Sequence, residues 1–151
     1  MAMAYTKTDN TFTKAIDMLS TMMRYMKGVD YNVVTIQKEL EYSKAYIGLE
    51  QLRFGNKLKV SWEVPVELEE YEIVKVTLQP ILENCIRHGF KNMKSEEVRP
   101  LIGQKIGIRN VDERIRMIFG TEYGLHIEET ETGFCVAIRI PAIREEMGVN
   151  L

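Results

Sequence analysis

Around Arg53-Phe54-Gly55-Asn56 the apolar residues change their spacing, and this change constrains the fold more than any other feature of the chain. Before it, they recur every three or four positions, as one stripe of a helix requires. After it, Leu58, Val60, Trp62 and Val64 alternate with Lys57, Lys59, Ser61 and Glu63, as one face of a strand requires. No single element type can satisfy both periods. The chain is therefore expected to be α+β, with a helical segment over 1–54 leading into a mixed strand-and-helix domain over 55–142 and a tail over 143–151.

Within the first part, Ile16, Leu19, Met23 and Met26 predict a helix over 13–27 that ends at Gly28. Asp30, Tyr31 and Asn32 read as a turn. A second helix is expected from an N-cap at Thr35 to Phe54, striped by Ile36, Leu40, Ser43 and Ile47, with Gly55 free to take a positive φ at its end. Within the second part, 58–64 predicts a strand and Ile73, Val74 and Val76 a short one. Residues 78–90 predict a helix with Pro80 in its first turn, and 110–119 another. Residues 125–129 and 134–140 predict a hairpin around Glu131-Thr132-Gly133. Residues 91–105 are charged and irregular.

The balance of charge excludes several functions. With 20 Lys+Arg against 22 Asp+Glu there is no basic excess of the kind that phosphate-backbone binding requires, so a nucleic acid is not an expected partner. His88 and His126 with Cys85 and Cys135 have no zinc-ligand spacing, and the cysteines read as buried thiols of a reducing compartment. The first ten residues lack the pattern of a secretory signal, and no apolar run approaches about 18 residues, so the expectation is a cytoplasmic chain without membrane contact.

Two stretches carry chemistry. In Leu78-Gln79-Pro80-Ile81-Leu82-Glu83-Asn84-Cys85-Ile86-Arg87-His88-Gly89, helical spacing puts Leu78, Leu82 and Ile86 on one side and Glu83, Asn84, Arg87 and His88 on the other. An amide oxygen can coordinate Mg²⁺ and a guanidinium can neutralise phosphate. The same pattern equally describes an amphipathic helix with a solvated polar side. In Gly103-Gln104-Lys105-Ile106-Gly107-Ile108-Arg109-Asn110-Val111-Asp112-Glu113-Arg114, a glycine loop opening a helix would suit an anion, because free N–H groups and the helix dipole face it. A plain loop with Asn110 as N-cap fits as well.

Taken together and in this order, the stretches resemble the LytS/YesM-type sensor histidine kinases, whose ATP-binding domain is of the GHKL (Bergerat) type. Residues 35–42 and 51–58 resemble the second dimerisation helix and its exit. Residues 78–89 resemble the N-box, 107–111 the second glycine box, and 120–125 with the closing strand through Pro141 the end of that domain. The resemblance implies an α+β two-layer sandwich, ATP and Mg²⁺ as cofactors, and a parent protein that is an inner-membrane sensor. That parent would phosphorylate its own histidine and pass the phosphate to a response regulator. In this chain Asn84 would coordinate Mg²⁺, with Glu83 beside it. Arg87 would approach the phosphates and His88 line the nucleotide, while Gly107, Ile108 and Asn110 would form the loop over the phosphates. A Met-rich face of Met18, Met22, Met23 and Met26 would pair the N-terminal helices in a homodimer.

Three departures from the family pattern bear on activity. No histidine stands on the first helix, so the phosphoacceptor is missing. No Asp is followed by x-Gly, and only seventeen residues separate Gly89 from Gly107, where the family carries a strand, an adenine-binding Asp box and a lid. Residues 95–98 read as the helix that normally follows that box. Loss of one charge-assisted hydrogen bond to adenine, worth about 1.5–3 kcal/mol, weakens binding roughly 10- to 100-fold. Lys105 also replaces a glycine of the phosphate loop. The sequence thus supports two readings: an ATP-binding kinase fragment, or a degenerate module retained for dimerisation or partner binding.

Overall fold

The computed structural model describes residues 2–27, 32–91 and 102–144. The element order is α1 (Ala2–Lys27), β1 (Val33–Thr35), α2 (Ile36–Phe54), β2 (Glu72–Val74), α3 (Leu78–Lys91), α4 (Ile102–Phe119), β3 (Gly124–Thr130) and β4 (Gly133–Arg139). The class is α+β. Gly28, Asp30 and Tyr31, the 95–98 segment and residues 145–151, on which several expectations fell, lie outside the described residues.

Thr35 caps α2 as its sequence predicts: its Oγ1 accepts the Lys38 N–H at 3.3 Å, with φ −68° and ψ 151°. Two further N–H groups of the first turn find backbone carbonyls instead, Ile36 N to Tyr71 O at 2.8 Å and Gln37 N to Glu69 O at 3.0 Å. At the other end, Gly55 has φ 59° and donates to Gln51 O. The stripe of α2 is buried as expected, with Leu40, Ser43 and Ile47 inside, and Tyr42 and Ala45 beside them.

Strand β1 was not expected. Val33 and Val34 pair antiparallel with Val74 and Ile73, and Thr35 with Glu72. The segment after β4 returns to the same place: Glu72 N donates to Ile143 O at 2.8 Å, and Arg144 lies over the Tyr71 ring. The expected boundary at 54/55 is therefore crossed by a sheet, and the first residues of the expected tail are bonded to the domain.

The predicted strand over 58–64 does not form. The segment keeps an alternating exposure through Trp62, which lies half-buried beneath Lys44 at 5.8 Å, but it has no ladder among the described residues. Alternation describes a face; a strand also needs an edge to bond to. The predicted hairpin does form, with Leu125 opposite Ile138 and Ile127 opposite Val136. Its inner face packs with Val74, Val111 and Ile115 of β2 and α4, joined by Ile118, Phe119, Tyr123 and Ile140. Helix α3 matches its prediction and carries Pro80 in its first turn. Helix α4 is longer than predicted, starting at Ile102 instead of Asn110.

The connection from β2 to α3 is the most tightly held part of the chain. Glu39 of α2 is fully buried, and its carboxylate accepts the N–H groups of Val76 (3.1 Å), Thr77 (2.8 Å) and Leu78 (2.9 Å) and the hydroxyl of Tyr25. Three successive N–H groups at a helix start form an anion cradle, and here a side chain of the same chain fills it. Thr77 turns its own hydroxyl back to Val74 O at 2.6 Å. Val76 sits at φ 59°, a conformation that costs a β-branched residue about 1–2 kcal/mol. Arg114 of α4 closes the turn from the far side by donating to Lys75 O at 2.7 Å.

Glu39→Ala would leave the N–H groups of Thr77 and Leu78 without that acceptor, while Val76 N–H keeps the Tyr25 hydroxyl, so it is expected to cost about 2 kcal/mol or more in urea unfolding. A loss below about 1 kcal/mol would contradict the role given to Glu39. Val76→Gly removes the steric conflict and is expected to be neutral or stabilising by up to about 1 kcal/mol in the same measurement.

Candidate functional site

A cleft of ≈ 1120 Å³ opens between α3, the first half of α4 and the β3–β4 hairpin. Asn84 and His88 line it from α3, Ile108 and Asp112 from α4, and Leu125, His126 and Phe134 from the hairpin. The His88 imidazole meets the Phe134 ring edge-on, with centroids 5.5 Å apart at 86°. Cys85 and Cys135, both expected to be buried, are exposed; Cys85 lines this wall, and partial desolvation still pushes its thiol up.

Of the seven residues expected to hold a nucleotide, the fold brings Asn84, His88 and Ile108 together here. Glu83 lies on another side of α3, accepting from Gln79 Nε2 at 3.1 Å, while Gln79 accepts from the Tyr42 hydroxyl. Arg87 is exposed and, like Glu83, acts electrostatically on Tyr46 of α2. Burial first, then Glu50 and Glu83, push the Tyr46 phenol up to about 12, with Arg87 opposing. Helical spacing groups these four polar residues on one broad side of α3, and the packing of α2 and the hairpin against different parts of that side separates them.

The glycine stretch is corrected more strongly. Gly107, Ile108 and Asn110 lie inside α4, not in a loop before it, and Lys105 lies in that helix too. Only the first four N–H groups of a helix lack an i−4 partner, so from the fifth residue onward these groups are committed within α4 and do not face a ligand. Gly107 stands where α4 crosses α3: a Cβ there would lie 3.9 Å from Pro80 Cβ, in ordinary contact. Asn110 is exposed on the helix surface and caps nothing at its start. Among the described residues the cleft thus offers the Asn84 amide, the His88 and His126 imidazoles and, from α4, the Arg109 guanidinium, which pairs with Glu113, but no guanidinium from α3 and no free N–H groups from Gly107, Ile108 or Asn110. The loop expected over the phosphates is helix here, and the α3 guanidinium expected to meet them does not line the cleft.

Asp112 is the cleft residue whose importance the sequence hid. Its Oδ1 accepts the Leu125 N–H at 2.7 Å and its Oδ2 the Arg116 Nε at 2.8 Å, so it ties α4 to the start of β3. Gly124, at φ 143°, is required there, since a Cβ would collide with Asp112 Oδ1. Arg116 continues to Thr121 O at 2.7 Å. A signal was available: an acid and a base at i and i+4 on α4 just before a Gly-containing turn.

The histidine kinase family profile matches residues 1–58, which cover α1, β1, α2 and the turn after α2. Over 166 aligned positions the chain is 30% identical to the sensor histidine kinase YpdA of Escherichia coli, using 87% of this chain and 29% of the relative. It is 26% identical to the sensor histidine kinase YesM of Bacillus subtilis over 162 positions, covering 88% and 28% of the two. To the sensor protein LytS of Staphylococcus haemolyticus it is 26% identical over 160 positions, covering 81% and 27%. The chain is related to the LytS/YesM-type sensor histidine kinases. It spans less than a third of the length of these kinases. The YpdA alignment occupies 166 positions but only 87% of 151 residues, so that kinase carries residues within the matched stretch that have no counterpart here. Among the described residues, no helix is long and apolar enough to cross a membrane.

Asp112 also sets a pH dependence. Burial pushes its carboxyl up, and the Leu125 N–H and Arg116 together outweigh this, leaving it below the usual carboxylate range. With the folded value below the unfolded one, its contribution is complete above about pH 3.9 and is lost as pH falls through the folded value. Asp112→Asn is therefore expected to lower stability at pH 7 and to flatten the loss of stability below pH 4, read from urea midpoints across pH. An acid limb as steep as that of the unaltered chain would contradict it.

Proposed function

We propose that this chain is a dimerising signalling module of the histidine kinase family in two-component signalling whose nucleotide site is dismantled. The observation that carries the reading is the continuation of α4 through Gly107, Ile108 and Asn110, which commits to a helix the N–H groups that would otherwise cradle phosphate. Separation of Glu83 and Arg87 from Asn84 and His88 supports it, as do the missing Asp box and the residues that YpdA has in addition. For the longer parent protein, the proposal is the reaction of a sensor kinase: ATP and Mg²⁺ bound, a histidine phosphorylated and the phosphate passed to a response regulator. This chain contributes no phosphoacceptor histidine to it.

The dimer reading rests on α1. Phe12, Ile16, Leu19, Met23 and Met26 are between 45% and 68% exposed and follow one another at intervals of four, three, four and three. That is the seam of a coiled coil, and a second copy of α1 is its natural occupant. The expected Met-rich face is thereby divided. Met23 and Met26 belong to the exposed seam, whereas Met18 and Met22 are half-buried, and Met18 lies where a side chain on Gly48 of α2 would collide with it.

Titration of the purified chain with Mg²⁺–ADP by calorimetry is expected to give no saturable heat at micromolar nucleotide; a dissociation constant in the low micromolar range overturns the dismantled-site reading. Light scattering is expected to show a dimer that Leu19→Asp or Met23→Asp converts to monomer, since a charge in the seam opposes burial. A monomeric unaltered chain at high concentration would remove the dimer reading.

A further inference from the structure

Tyr25 is the last aromatic of α1 and carries two bonds at once. Its hydroxyl donates to Glu39 and accepts the Val76 N–H at 3.1 Å. The ring stacks on Tyr42 of α2, with centroids 4.4 Å apart, and Lys75 Nζ lies over the same ring, 5.1 Å from its centroid. Tyr42 in turn donates to Gln79 in the first turn of α3, and Gln79 reaches Glu83 one turn on, beside Asn84. Two parallel routes thus run from α1 to α3. One passes through Glu39 to the N–H groups of residues 76–78, the other through Tyr42 to Gln79.

The turn they hold is strained. Val76 remains at φ 59° while Glu39 grips its N–H and the two that follow. When the carboxylate shifts, Val76 N–H keeps only the Tyr25 hydroxyl and the N–H groups of Thr77 and Leu78 lose their acceptor, so relaxation of the Val76 backbone re-aims the start of α3. Elements of this kind have two discrete settings instead of a continuum. Position along α1 matters too: Tyr25 lies between Met23 and Met26, two residues of the exposed seam, but points into the protein.

We propose that Tyr25 and Glu39 form a latch that couples the setting of α1 to the first turn of α3, so that pairing of α1 with a second copy is felt at the wall of the cleft that carries Asn84 and His88. The coupling to pairing rests on the dimer reading given above; the latch itself does not. Tyr25 and Glu39 are positioning residues, because they touch the α3 backbone and not the cleft.

Amide hydrogen exchange on the whole chain tests it. Tyr25→Phe removes one oxygen and keeps the stacked ring. It is expected to speed exchange at Val76, Thr77 and Leu78 about tenfold, while Cys85 and Ile86 in the middle of α3 and Leu40 in α2 keep their protection. Unchanged exchange at residues 76–78 overturns the latch, as does an equal rise at all of these amides, which would mark general destabilisation. Glu39→Gln, if it folds, is expected to give the same local pattern with a larger rise. A second measurement compares dilute and concentrated samples whose masses are checked by light scattering. In the unaltered chain, exchange at 76–78 is expected to change on dimerisation, and in Tyr25→Phe this response is expected to vanish. The same response in both chains overturns coupling through Tyr25. A chain that is monomeric throughout removes the dimer reading, and the Tyr25→Phe exchange pattern then decides the latch alone.

Discussion

The carboxylate of Glu39 is the point on which the described fold turns. A charged group completely removed from water is costly unless every oxygen finds donors, and Glu39 finds four, from three elements. It also places negative charge at the N-terminus of α3, where the helix dipole favours it. One side chain of α2 therefore fixes α1 through Tyr25, the strained turn through Val76, and the direction of α3 through Thr77 and Leu78. The sheet of β1 and β2 forms alongside because the same turn brings Val74 back to Val33.

From that junction, the rest of the second half is arranged by apolar packing. Val74 meets Val111 and Ile115 of α4, and the hairpin covers the far side of that helix through Leu125, Ile138 and Ile140. Asp112 then holds the hairpin in register by bonding the first residues of β3. The cleft is what remains between two helices and a hairpin whose positions are set from behind. Polar residues line it from both helices and the hairpin, but Glu83 and Arg87 are directed elsewhere by those same constraints.

Much of the fold was legible because it is local. The cap at Thr35, the stop at Gly55, the stripe of α2, Pro80 in the first turn of α3 and the hairpin registers all follow from periods and turn chemistry within a few residues of each other. The strand over 58–64 failed because alternation cannot supply a partner edge. Strand β1 was hidden because two valines leading into a strong N-cap at Thr35 look like the end of a turn. Glu39 itself left a trace: it stands three residues after Ile36 and four before Ser43, inside the apolar stripe, where a solvated glutamate has no place.

By itself, the sequence determined the order and type of most elements, the apolar stripe along α1 and the kinship with sensor kinases, because each is written in spacing or in short motifs. The tertiary structure alone decided that the glycine stretch is helix and that Glu83 and Arg87 part from Asn84 and His88. It also decided that a buried carboxylate joins α1 to α3. The physical reason is common to all three: the free N–H groups and charges of one element are claimed by whichever distant element packs against it, and that choice is not recorded in local spacing.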